Sequence, residues 1–111
     1  MFNFAKDVSM SQADTVTKIK VNESIKEPSM YQVIYLNDNQ TTMEFVVESL
    51  IEFFDYNTET AIKITEDIHN AGKATVAILP YELAEQKGTE VLTSARIQNF
   101  PLQIEIKPDA V

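Results

Sequence analysis

Three side chains in this chain have types and spacing suited to holding a cation: Asn37 and Asp38, adjacent in a polar run, and His69, the only histidine. An amide oxygen, a carboxylate and a neutral imidazole nitrogen all accept hydrogen bonds, and a primary ammonium has three N–H donors to satisfy. Close by in sequence stand Thr41, Met43 and Val46. They offer a hydroxyl, a thioether and an aliphatic surface, so the mix suits a ligand with a cationic end and an apolar end. A solvated turn feeding a core helix accounts for the same run, because loops are polar for ordinary reasons. A lone histidine at a helix end also serves to cap carbonyls or to pack.

Other chemistry is poorly supported. The chain has no cysteine, which removes disulfides, thiol nucleophiles and zinc–thiolate sites. With two glycines, Gly72 and Gly88, and one histidine it has no glycine-rich phosphate loop, no two-histidine metal motif and no nucleophile elbow. Asp38 and His69 could form an acid–base pair, but no nucleophile or oxyanion hole accompanies them. No enzymatic activity and no cofactor are expected.

Charge is unevenly placed. Residues 1–27 hold four lysines and four acids, so the whole net charge of −8 falls on residues 28–111. Such a surface repels phosphates, which argues against nucleic acid or an anionic membrane as partner. No apolar run approaches the ~18 residues of a membrane span. The opening residues lack the basic and apolar regions of a signal peptide, and a cytoplasmic, monomeric protein is the expectation.

The elements that must position these residues follow from periodicity. Residues 1–27 are polar with scattered apolar side chains and read as a flexible N-terminal extension, leaving residues 28–111 as one core domain. Tyr31 to Leu36, aromatic and β-branched, reads as a strand. Thr41 and Glu44 have capping-box spacing and start a helix near Thr42. That helix runs to Phe54 with Met43, Val46, Val47, Leu50, Ile51 and Phe54 inward and Glu44, Glu48 and Glu52 outward. Asn57 is placed to cap a second helix, whose stripe is Ala61, Ile64, Thr65 and Ile68 and which stops at Gly72.

Thr75 to Leu79 is nearly continuous in apolar residues, as in a strand buried on both faces or in mid-sheet. Pro80 opens a third helix, Tyr81 to Asn99, with Ala84, Gly88, Val91, Leu92 and Ala95 inward. Its Gly88 implies close approach to the sheet, since glycine costs about 1 kcal/mol in a helix interior. Leu102, Ile104 and Ile106 alternate with polar residues in a last strand. The order β-α-α-β-α-β predicts an α+β fold in which helices cover one face of a three-stranded antiparallel sheet.

Four segments together resemble the ClpS family, the bacterial adaptors that hand N-degron substrates to an AAA+ Clp protease: Pro28-Ser29-Met30-Tyr31, Asn37-Asp38, Thr41-x-Met43-Glu44-Phe45-Val46 and His69-x-x-Gly72-Lys73-Ala74. The resemblance spans residues 28 to about 107. It implies that Asn37, Asp38 and His69 hold a substrate's α-amino group. A pocket of Leu36, Thr41, Met43, Val46, Thr65, Ile68 and Leu102 would take its bulky first side chain. By the same resemblance Met43 gates against β-branched side chains, admitting Leu, Phe, Tyr and Trp. Glu82 and Lys87 match positions that dock on the N-terminal domain of the unfoldase, and residues 1–27 match an extension used in delivery.

The chain departs from the family pattern at Asn39, where a second aspartate is common, and at Gln40, where an aromatic is common. Thr42 stands in place of a frequent proline, and Thr65 in place of a frequent methionine. A short side chain at 65 widens the pocket wall, so the larger aromatics should be accepted at least as well as Leu. A stand-alone interaction module of similar fold, comparable to the C-terminal domain of the ribosomal stalk protein, is the competing expectation.

Overall fold

The computed structural model describes residues 29–109; the extension expected over residues 1–27 lies outside them. Six elements follow in the expected order: β1 (Met30–Leu36), α1 (Met43–Phe54), α2 (Thr58–Ala71), β2 (Lys73–Pro80), α3 (Tyr81–Ile97) and β3 (Gln103–Pro108). The sheet is antiparallel with order β2-β1-β3. Val33 and Tyr35 of β1 enter a buried cluster with Phe45, Val46 and Leu50 of α1, Ala61 and Ile68 of α2, and Ala84, Val91 and Ala95 of α3. The helices therefore lie on one face.

The middle strand is β1, and the expectation for Thr75–Leu79 is corrected: β2 is an edge strand. Its register with β1 shifts where Val33 pairs with Ala77 but Ile34 pairs with Thr75, leaving Val76 as the extra residue. An extra residue resets the in–out alternation. Ala74, Val76, Ala77 and Leu79 all pack against the core, while Thr75 and Ile78 are exposed. An edge strand with this irregularity mimics the continuous apolar run of a central one.

Local signals place α2 well. The Asn57 side chain accepts from Thr60 N–H, and Gly72 closes the helix at φ 90°. The inward face of α1 differs from the expected stripe: Phe45, Val46, Ser49 and Leu50 are buried, and Met43 is 48% exposed. Phe45 packs edge-on against Phe100 at 5.4 Å, which draws the helix round to that side. Helix α3 ends at Ile97, short of the expected Asn99, because Asn99 takes φ 64° and turns the chain toward β3. Gly88 lies against β3: a Cβ there would stand 3.3 Å from Ile106 Cδ1 and 3.8 Å from Ile104 Cγ2.

Candidate functional site

Strand β1 ends at Leu36, half-buried and in register with Lys73 on one side and Gln103 on the other. The next residue, Asn37, donates its backbone N–H to the carbonyl of Gly72 at 2.8 Å. The loop leaving β1 is thereby fixed to the end of α2, whose last turn carries His69. The side chains of Asn37 and His69 are both exposed, free to accept from a ligand in solvent.

Asp38 holds the loop in shape. Its Oδ1 accepts from the N–H groups of Gln40 at 2.8 Å and Thr41 at 2.6 Å, and its Oδ2 accepts from the Thr41 hydroxyl at 2.8 Å. Burial alone would raise its pKa, but the Thr41 and Gln40 amides, the Thr41 hydroxyl and the positive field of Arg96 together outweigh it and lower the pKa. The carboxylate is a fixed anion near neutral pH. With roughly four lone-pair sites on a carboxylate and three in use, it retains capacity for a further donor.

Because Asp38 engages Thr41, the expected capping box of Thr41 and Glu44 does not form. The N-cap is Thr42, whose hydroxyl oxygen accepts from Phe45 N–H at 3.1 Å. Thr41 instead lies half-buried between the loop and the helix. The apolar residues expected around a pocket separate into two groups. Val46, Ile68 and Leu102 belong to the buried cluster, and Thr65 is buried on the same face of α2 as Ile68. Leu36 and Thr41 are half-buried and Met43 exposed. The Thr65 hydroxyl donates to the Ala61 carbonyl at 2.8 Å, so its polar atom is satisfied within α2.

Residues 26–105 match the family described as ATP-dependent Clp protease adaptor protein ClpS. The chain belongs to the ClpS family. Among its ClpS relatives, the adapter protein of Rhodospirillum centenum is 42% identical over 91 residues, covering 82% of this chain and 84% of the relative. That of Acetivibrio thermocellus is 40% identical over 95 residues, covering 86% and 96%. The structure of Agrobacterium tumefaciens ClpS2 bound to L-phenylalaninamide superposes with a TM-score of 0.72 at 30% identity, over 75% of this chain and 100% of that one.

Two features of this ClpS chain were not singled out from its sequence. The Tyr35 phenol and Ser49 hydroxyl form a fully buried pair at 2.8 Å, joining β1 to α1. Arg96, the only arginine, donates through Nη1 to the Phe100 carbonyl at 2.8 Å and lends its field to Asp38. A lone guanidinium near the end of a helix was a signal available in the sequence. A tyrosine in one segment and a serine in another gave none.

On α3, Glu82 is exposed in the first turn and Lys87 lies 3.9 Å from Glu90. A groove of about 430 Å³ lined by Ser29, Tyr31, Pro80, Tyr81 and Glu82 runs between the start of β1 and the start of α3. Strand β1 enters the sheet at this groove and leaves it at the Asn37 loop, so the groove and the loop lie at opposite ends of the strand.

Proposed function

We propose that this ClpS protein recognises the first residue of substrate chains and delivers them to a Clp AAA+ unfoldase. Asn37, Asp38 and His69 accept from the free α-amino group. The bulky side chain of Leu, Phe, Tyr or Trp enters a pocket bordered by Leu36, Thr41, Met43, Val46, Thr65, Ile68 and Leu102. Met43, exposed on the first turn of α1, stands as the gate to side chains branched at Cβ. Glu82 and Lys87 dock on the N-terminal domain of the unfoldase, and residues 1–27 take part in delivery.

The observation that carries this reading is the Asn37–Gly72 backbone bond beside an Asp38 held ionised. It ties the acceptor loop to the turn carrying His69, and Val46 of α1, Thr65 and Ile68 of α2, and Leu102 just before β3 are buried. The A. tumefaciens relative binds L-phenylalaninamide. That molecule has a free α-amino group, a benzyl side chain and a carboxamide in place of a carboxylate, and so stands in for the first residue of a chain.

Two contributions add in such a complex. Acetylating the amine removes its charge and two donors and leaves desolvated acceptors, a loss of about 1–3 kcal/mol. Burying a Leu or Phe side chain contributes roughly 1.5–3 kcal/mol. Calorimetric titration with L-phenylalaninamide and with its N-acetyl derivative tests the reading: the free amine should bind roughly 5- to 150-fold more tightly than the acetylated one. Equal heats from both would reject it.

A further inference from the structure

We propose that the buried Tyr35–Ser49 pair is a positioning device that sets which first side chains the pocket prefers, an inference that rests on the function proposed above. Ser49 Oγ donates to the Val46 carbonyl at 2.8 Å. Its single proton is thus committed, so the 2.8 Å contact between Tyr35 and Ser49 has the phenol as donor. A directed relay results: Tyr35 O–H to Ser49 Oγ, and Ser49 O–H to Val46 carbonyl. Burial keeps the phenol protonated across the physiological range, so the direction of donation does not change with pH.

The relay joins two of the elements that border the proposed pocket, β1 through Leu36 and α1 through Met43 and Val46. Tyr35 lies on β1 just before Leu36, Asn37 and Asp38, the segment that carries the amine acceptors. Val46 lies on the buried face of α1, in the same helix as Met43. Apolar packing between β1 and α1 is non-directional and tolerates small slides, whereas hydrogen bonds fix distance and angle. The Asp38–Thr41 bonds are a second tie, lying inside that segment and within the loop. Residues 35–49 are therefore closed by an outer tie between their ends and an inner tie within the loop, and both restrain how the acceptor loop meets the helix.

A polar pair was not needed to fill this space. Tyr35 also packs edge-on to Phe54 at 6.3 Å, and its ring would keep that contact as phenylalanine. Removing the phenolic oxygen deletes the tie while leaving Ser49 still donating to Val46, so Tyr35→Phe should fold. Ser49→Ala leaves the phenol buried without an acceptor and should lose more stability. The double variant removes both polar atoms and should recover part of that loss.

The test is fluorescence anisotropy with peptides beginning Phe, Leu and N-acetyl-Phe on the wild type, Tyr35→Phe and the double variant, with thermal melts alongside. In both variants the ratio of Phe to Leu affinity should shift by about three- to tenfold, the size of one buried hydrogen bond, and the acetylated peptide should remain excluded. The double variant should keep the altered ratio despite its recovered stability. An unchanged ratio in Tyr35→Phe, with only the melting temperature lowered, would make the pair merely structural and overturn the proposal. A wild type that binds the acetylated peptide as well as the free one would instead reject the underlying function, and the relay's role with it.

Discussion

The backbone N–H of Asn37 lies 2.8 Å from the carbonyl of Gly72, and this bond, just beyond the Leu36–Lys73 pair of the sheet, joins the two segments of the proposed amine site. Gly72 supplies that carbonyl from φ 90°, a conformation L side chains rarely adopt. A Cβ there would meet nothing within 4 Å, so the effect of Gly72→Ala is confined to the backbone. The expected cost is on the order of 1 kcal/mol, read as a fall of roughly 4–8 °C in Tm. Affinity for a Phe-initiated peptide should fall with it, because the Asn37 anchor moves. A lowered Tm with unchanged affinity would mean that the bond does not position the site.

Asp38 links the loop to acid stability. Its folded pKa is lowered, so its bonds to Gln40 and Thr41 contribute fully above its ordinary value of 3.8 and are lost as the pH falls through the lower folded value. Asp38→Asn should therefore narrow the gap between urea midpoints measured near neutrality and below pH 3.8. It should also abolish binding of a free-amine peptide, since the carboxylate is the one anion proposed to meet the ammonium. Retained binding in Asp38→Asn would remove Asp38 from the site.

Much of this architecture was legible locally. Asn57 and Gly72 bound α2 because both caps act within a turn of the helix they close. Gly88 announced the close approach of α3 to the sheet because a mid-helix glycine needs a packing reason. The readings that failed depended on contacts that periodicity and spacing do not show, several of them between residues distant in sequence. Ser49 is buried because it meets Tyr35, Phe45 because it meets Phe100, and neither meeting is visible in helical periodicity. Thr41 has the spacing of a cap but is engaged by Asp38, so the cap falls to Thr42. In β2, one unpaired residue at Val76 made an edge strand look central. At the candidate site, residue types and order were readable, whereas the Asn37–Gly72 tie required the fold.

Packing at Gly88 makes a separate prediction. Its would-be Cβ sits 3.3 Å from Ile106 Cδ1, the tip of a side chain able to yield a few tenths of an ångström. Gly88→Ala gains about 1 kcal/mol of helix propensity against that squeeze. The melting temperature should stay within a few degrees of the wild type. Gly88→Val adds two further methyls toward β3 and should cost about 1–3 kcal/mol. A Gly88→Val protein as stable as the wild type would show that α3 is not tightly seated.

The wall of the proposed pocket should be tunable at Thr65. Its hydroxyl is satisfied by Ala61, leaving a small side chain on the buried face of α2. Peptides beginning with Phe or Trp should bind at least as tightly as one beginning with Leu. Thr65→Met, which lengthens the wall, should shift preference from Trp toward Leu by on the order of tenfold, about 1.4 kcal/mol. Tighter binding of Leu than of Phe and Trp in the wild type would contradict this.

The central claim, recognition of a free amine together with a bulky side chain not branched at Cβ, is tested most directly by one anisotropy titration with three labelled peptides. They differ only at the N-terminus: Phe, N-acetyl-Phe and Ile. Binding of the Phe peptide with loss of both others is the expected result. Equal binding of all three, or of none, would contradict it.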